Sequence, residues 1–96
     1  MIEVRQTVEF KDWLTSLKDR MAVTAIAARL ERLAYGLKGD VKPVGDGVSE
    51  LRVHVGPGYR IYFVQRGQVL IVVLSGGEKR SQDRDIARAK VLARNL

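Results

Sequence analysis

The spacing of apolar positions changes several times along the chain, and each change marks an element. Ile2-Glu3-Val4-Arg5 alternates, which predicts a short strand near a sheet edge. Phe10, Trp13, Leu14 and Leu17 then recur on one helical face, with Thr7 placed to cap the helix and Glu9 in its first turn. At this spacing Trp13 reads as a core residue rather than a stacking platform. The pattern breaks at Asp19-Arg20. A second helical stripe follows through Val23, Ile26, Ala27, Leu30, Leu33, Ala34 and Leu37, with Arg29 and Arg32 on the other side and Gly36 and Gly39 at its end. So short a connection makes the two helices an antiparallel hairpin.

Residues 38–47, KGDVKPVGDG, are polar and glycine-rich and read as one long loop. From Val48 to Val55 the period becomes two, with Leu51, Val53 and Val55 on one face and Glu50, Arg52 and His54 on the other. Gly56-Pro57-Gly58 signals a turn into a second strand, Tyr59–Arg66. If those three residues are the whole loop, Val55 sits opposite Tyr59, His54 opposite Arg60, Val53 opposite Ile61 and Arg52 opposite Tyr62. The apolar face then covers the helix hairpin, and the other gathers Arg52, His54, Arg60 and Tyr62. Val69–Leu74, the most apolar run, is too short for a bilayer, lacks alternation and fits a central strand buried on both faces. After it come Gly76-Gly77, which would let backbone approach a ligand closely, and Glu78-Lys79-Arg80. Ser81 is placed to cap a last helix with Asp83 and Asp85 in its first turn. Its apolar stripe, Ile86, Ala89, Leu92, Ala93 and Leu96, is thin, and Arg84, Arg88, Lys90 and Arg94 share the opposite arc. Such a helix docks weakly.

The 96 residues suit one domain spanning 1–96. Without cysteine the chain has neither a disulfide framework nor a thiolate zinc site. No secretory pattern opens it, so a cytoplasmic protein without a membrane segment is expected. The net charge of +6 changes the picture more, because residues 49–96 hold 9 Lys/Arg against 4 Asp/Glu. A surface of that sign suits nucleic acid or an acidic protein partner.

Arginines, a histidine and a tyrosine on one sheet face can hold a phosphodiester and neutralise charge developing at phosphorus, and His54 could move a proton near neutral pH. No acidic metal box is evident and no cofactor is expected. The route left open is attack by a neighbouring 2′-hydroxyl on its own phosphate, which needs RNA and no metal. Taken singly these residues also read as solvated or edge charges.

The order strand, helix hairpin, three antiparallel strands and basic C-terminal helix resembles the RelE/ParE toxin superfamily. The stretches GVSELRVHVGPGYRIYFVQRG and VLIVVLSGGEKRSQDRDIARA are similar to its HigB-like "addiction module killer protein" subgroup. The resemblance implies an α+β domain: an N-terminal strand and helix hairpin packed on a mainly antiparallel four-stranded sheet, plus a C-terminal helix. It also implies the toxin of a type II toxin–antitoxin module, with a helix-turn-helix antitoxin encoded by the adjacent gene. RelE-like members are ribosome-dependent endoribonucleases acting on messenger RNA; ParE members instead poison DNA gyrase, and a degenerate toxin would only bind its antitoxin. Carried over by position, Arg60 matches the strand arginine at the scissile phosphate, and Arg80 with Lys79 the basic pair after the last strand. Arg52 and His54 fall where RelE-like toxins place lysines, if the loop is one residue longer. Arg60, Arg80, Lys79 and His54 are therefore the candidate catalytic residues, with Arg52, Tyr62, Arg84 and Arg88 as RNA contacts. Where RelE-like enzymes often carry a C-terminal tyrosine, this chain has Ile86.

Overall fold

Thr7 organises the entry to the helix hairpin, as the pattern predicts. In the computed structural model, which covers residues 1–96, its hydroxyl accepts from the Phe10 N–H at 3.0 Å and donates to the Leu74 carbonyl at 2.6 Å. One side chain thus caps α1 (Val8–Ser16) and ties it to the sheet. Asp19 caps α2 (Arg20–Ala34) by accepting from the Met21 and Ala22 N–H groups. The buried stripe of α2 is Ala22, Ile26, Leu30 and Leu33. Ala27, expected on it, is exposed, and Leu37 lies beyond the helix in solvent.

Five strands form one sheet in the order β1-β5-β4-β3-β2, where β1 is Glu3–Gln6, β2 Val41–Gly45, β3 Val48–Val53, β4 Tyr59–Arg66 and β5 Leu70–Glu78. β1 is an edge strand, as expected, and runs parallel to β5; every other pairing is antiparallel. The expected four strands become five because part of the stretch read as a loop is β2. Its proline hid it, and Pro43 is tolerated because β2 lies on the outer edge, where a missing N–H interrupts no ladder. The centre of the sheet is β4, not the more apolar β5. All residues from Tyr59 to Val64 are buried, since helices cover both of its faces.

One face carries Leu51, Val53, Tyr59, Ile61, Phe63, Ile71 and Val73, packed on Phe10 of α1 and the buried stripe of α2. The opposite face carries Val48, Tyr62, Val64 and Leu74 beneath α3 (Gln82–Arg94), whose sole fully buried residue is Ala89. Ile86, Leu92 and Ala93 add partial cover, while Leu96 is exposed. A methyl group contributes about 0.8 kcal/mol, so the apolar seat of α3 is shallow, as its thin stripe foretold.

Two local corrections shape the functional face. The β3–β4 connection spans residues 54–58 rather than 56–58, so Val53 faces Tyr59, Leu51 faces Ile61, Arg52 faces Arg60 and Glu50 faces Tyr62. A displacement of two residues keeps every side chain on its expected face, because strand side chains alternate with period two. It does move His54 off the strand. Ser81 precedes α3 but makes no capping bond; after the 3-10 turn Lys79–Ser81 its hydroxyl donates to the Asp85 carboxylate, with the Glu78 carbonyl 3.3 Å away.

Candidate nucleic-acid interface

Gly76 and Gly77 lie within β5, and a bulge between Tyr62 and Phe63 of β4 resets their phase, so that each lies under a side chain of the protein itself. A Cβ on Gly76 would come within 2.8 Å of Cδ2 of Trp13 and closer still to two other ring carbons. A Cβ on Gly77 would fall 2.6 Å from the Asp85 carboxyl carbon. The glycine pair therefore seats Trp13 on one face and Asp85 on the other, in place of the close ligand approach expected. Trp13 packs against Phe10 and Tyr59, with ring centroids 5.8 and 6.1 Å away, in keeping with its core reading.

On the α3 side the register aligns two rows of side chains across β3, β4 and β5: Glu50, Tyr62 and Ser75, then Arg52, Arg60 and Gly77. Glu50 is fully buried. It accepts from Arg52 Nε at 3.1 Å and Gln82 Nε2 at 2.9 Å, and lies 3.8 Å from Arg60 Nε. Only a tenth of the Arg60 side chain is exposed. Its outer nitrogen donates to the Gly58 carbonyl at 3.4 Å, which also accepts from the Lys79 N–H at 2.8 Å. Loop 54–58 thus brings Arg60 beside the 3-10 turn. There Lys79, Arg80, Ser81, Gln82, Asp83 and Arg84 line an open, wholly polar groove. Arg80 and Arg84 project into solvent, flanked by Glu78 at 3.4 Å and Asp85 at 4.0 Å.

The structure therefore gathers Arg52, Arg60, Lys79, Arg80 and Arg84 at one end of the sheet, and separates the other candidates. His54 is exposed on the loop with Nε2 2.6 Å from Oδ2 of Asp40. That hydrogen bond, helped by the nearby arginines Arg52 and Arg29, holds the Asp40 carboxyl below its usual range. Tyr62 is completely buried under α3, so in this conformation it offers no atom to RNA. Burial, reinforced by Glu50 and Asp85, pushes its ionisation far above the usual phenol range. Arg88 is engaged elsewhere: its guanidinium grips Glu9 of α1 through contacts of 2.6, 3.0 and 3.1 Å, fastening α3 to the helix hairpin. The hydrogen bonds from Arg88 keep Glu9 below its ordinary pKa. Ile86 packs partly buried into the cluster under α3.

Glu50, Gln82 and Asp85 were not candidates on sequence grounds. Alternation places Glu50 beside Arg52, but its complete burial arises only when α3 folds over it. No group of three His, Cys, Asp or Glu side chains is arranged to hold a metal ion, and no helix is long and apolar enough to cross a membrane.

This geometry has a counterpart among solved folds. A free-state arginine-to-alanine mutant of the E. coli toxin RelE superposes with a TM-score of 0.76, covering 99% of this chain and 98% of that one at 14% identity. The protein thus has the RelE fold. An uncharacterized protein of Haemophilus influenzae (strain Rd) is 45% identical over 95 residues, 99% of this chain and 96% of the relative. Residues 12–95 match the family described as "Phage derived protein Gp49-like (DUF891)", and the chain belongs to that family.

Proposed function

We propose that the protein is the toxin of a type II toxin–antitoxin module and cuts messenger RNA on the ribosome in the bacterial cytoplasm, as a HigB-like member of the RelE-type toxins. The observation that carries this reading is the open polar groove lined by Lys79, Arg80 and Arg84, with Arg60 joined to its Lys79 end through the Gly58 carbonyl and Arg52 opposite Arg60 on the next strand. In the reaction a ribose 2′-oxygen attacks the adjacent phosphorus and the 5′-oxygen leaves, giving a 2′,3′-cyclic phosphate and a 5′-hydroxyl. The 2′-proton passes to water in the open groove and the leaving oxygen takes a proton from water. Arg60 faces the phosphate with Arg52 beside it and stabilises the extra negative charge of the pentavalent state; Lys79, Arg80 and Arg84 hold the flanking backbone. No metal takes part, so chelation leaves cleavage unchanged once the ribosome's own magnesium is supplied. The partner is a helix-turn-helix antitoxin from the adjacent gene, presenting acidic residues to this groove with salt-sensitive affinity.

Primer extension on a translated message after induction tests this reading. New cuts inside codons are expected, and they disappear in Lys79→Ala/Arg80→Ala, whose exposed side chains leave the fold unaltered. An intact message with wild-type toxin overturns it. One observation favours a non-enzymatic, ParE-like action on DNA gyrase: His54 is paired with Asp40 and Tyr62 is buried, so neither is placed to exchange a proton beside Arg60. Trapped gyrase cleavage complexes together with uncut messenger RNA would select that alternative. Growth unaffected by expression would select a degenerate toxin.

A further inference from the structure

Arg52 and Arg60 face each other directly across β3 and β4. Like charges opposed in this way repel and turn their side chains apart unless a counter-charge holds them. Glu50 supplies it, with one carboxylate oxygen toward both arginines and the other toward Gln82 of α3. A fully buried carboxylate is a poor means of stabilising a sheet face, because an apolar side chain of similar volume commonly does so as well or better. What the carboxylate provides is direction: it hydrogen-bonds the Arg52 Nε and sets its negative charge 3.8 Å from the Arg60 Nε. Arg60 Nε, the Tyr62 hydroxyl and Ser75 Oγ are all buried without a hydrogen-bond partner in the same two rows of the sheet.

We propose that Glu50 is a positioning residue. Its carboxylate sets the orientation of the Arg52–Arg60 pair at the interface and, through Gln82, couples that orientation to the docking of the first turn of α3. Its consequence for RNA cleavage rests on the function proposed above; the orientation itself does not.

The test has two arms. In the first, hydrogen exchange at arginine Nε–H groups is followed by NMR, with Arg52→Lys and Arg60→Lys assigning the signals. In Glu50→Gln the Arg52 signal should exchange about tenfold faster, as expected for loss of a bond to a charged acceptor, while the amide spectrum stays folded. Unchanged exchange overturns the proposal. Should Glu50→Gln not fold, Gln82→Ala decides instead. It frees the second carboxylate oxygen, so amides in the first turn of α3 should exchange faster while Arg52 stays protected; α3 exchange like wild type overturns the coupling. In the second arm, Glu50→Gln should lower kcat for RNA cleavage about ten- to hundredfold with KM unchanged or lower, because a misdirected guanidinium loses transition-state stabilisation while the missing negative charge favours RNA binding. A proportionate fall in folded fraction with kcat per folded molecule unchanged refutes it. If wild type cuts no RNA, the proposed function fails, and the exchange arm still judges Glu50.

Discussion

Replacing Gly76 with alanine asks whether the glycine pair serves packing or ligand approach. The new methyl carbon would sit 2.8 Å from Cδ2 of Trp13 and nearer still to two other carbons of its ring. Ordinary carbon–carbon contact needs roughly 3.5–4 Å, so the overlap is about 1 Å against a rigid indole. The ring cannot simply turn aside, because Phe10 and Tyr59 hold its other edges at centroid distances of 5.8 and 6.1 Å. Overpacking of this kind costs about 1–3 kcal/mol. Against it, alanine in a strand interior recovers about 0.5–1 kcal/mol of glycine's extra chain entropy. The net expectation is a loss of about 1–2 kcal/mol, or a Tm lower by very roughly 5–15 °C in a domain of this size. Urea unfolding followed by Trp13 fluorescence, with near-ultraviolet circular dichroism of the native state, measures both the loss and the displaced indole. Gly47→Ala is a suitable control: φ there is +77° and nothing lies within 4 Å of the added methyl, so it carries backbone strain without indole overlap and leaves the Trp13 spectra unchanged. Stability within 0.5 kcal/mol of wild type and an unaltered indole spectrum would refute the packing account. RNA cleavage lost at full stability would restore the ligand-approach account.

Three further outcomes follow from particular contacts. Thr7→Ala removes the α1 cap and the bond to the Leu74 carbonyl, and chemical denaturation should report a loss of about 1–2 kcal/mol. Tyr62→Phe deletes a buried hydroxyl that has no partner; stability should be unchanged or higher by about 1 kcal/mol, and RNA cleavage should persist, whereas loss of cleavage at full stability would return Tyr62 to the site. Glu9 has a folded-state pKa below its ordinary 4.5, so its contact with Arg88 contributes fully above that pH and is lost as the pH falls through the lower folded value. At this exposure the pair contributes little; Glu9→Gln should lower stability slightly at pH 7 and flatten the acid limb below pH 4.5, and parallel limbs for variant and wild type would count against the clamp.

The sequence by itself determined the helices, the edge strand and the assignment of β3 and β4 side chains to faces, because period and capping are local properties of the chain. Thr7, the Phe10–Leu17 stripe and the alternation through Leu51 and Val53 needed no partner to be read. Face assignment survived an incorrect register because a two-residue displacement preserves alternation. The basic pair at Lys79-Arg80 was legible for the same reason, as a charge cluster closing a strand. β2 was not, since Pro43 is excluded from a strand until its edge position is known. The tertiary fold alone decided the rest. Docking α3 over the sheet buried Tyr62, turned Glu50 from a strand polar residue into the shared partner of Arg52, Arg60 and Gln82, and drew Arg88 to Glu9. The bulge in the β4–β5 pairing placed Trp13 and Asp85 on the two glycines. Each depends on contacts between residues far apart in the chain, and local pattern carries no information about what will cover a face.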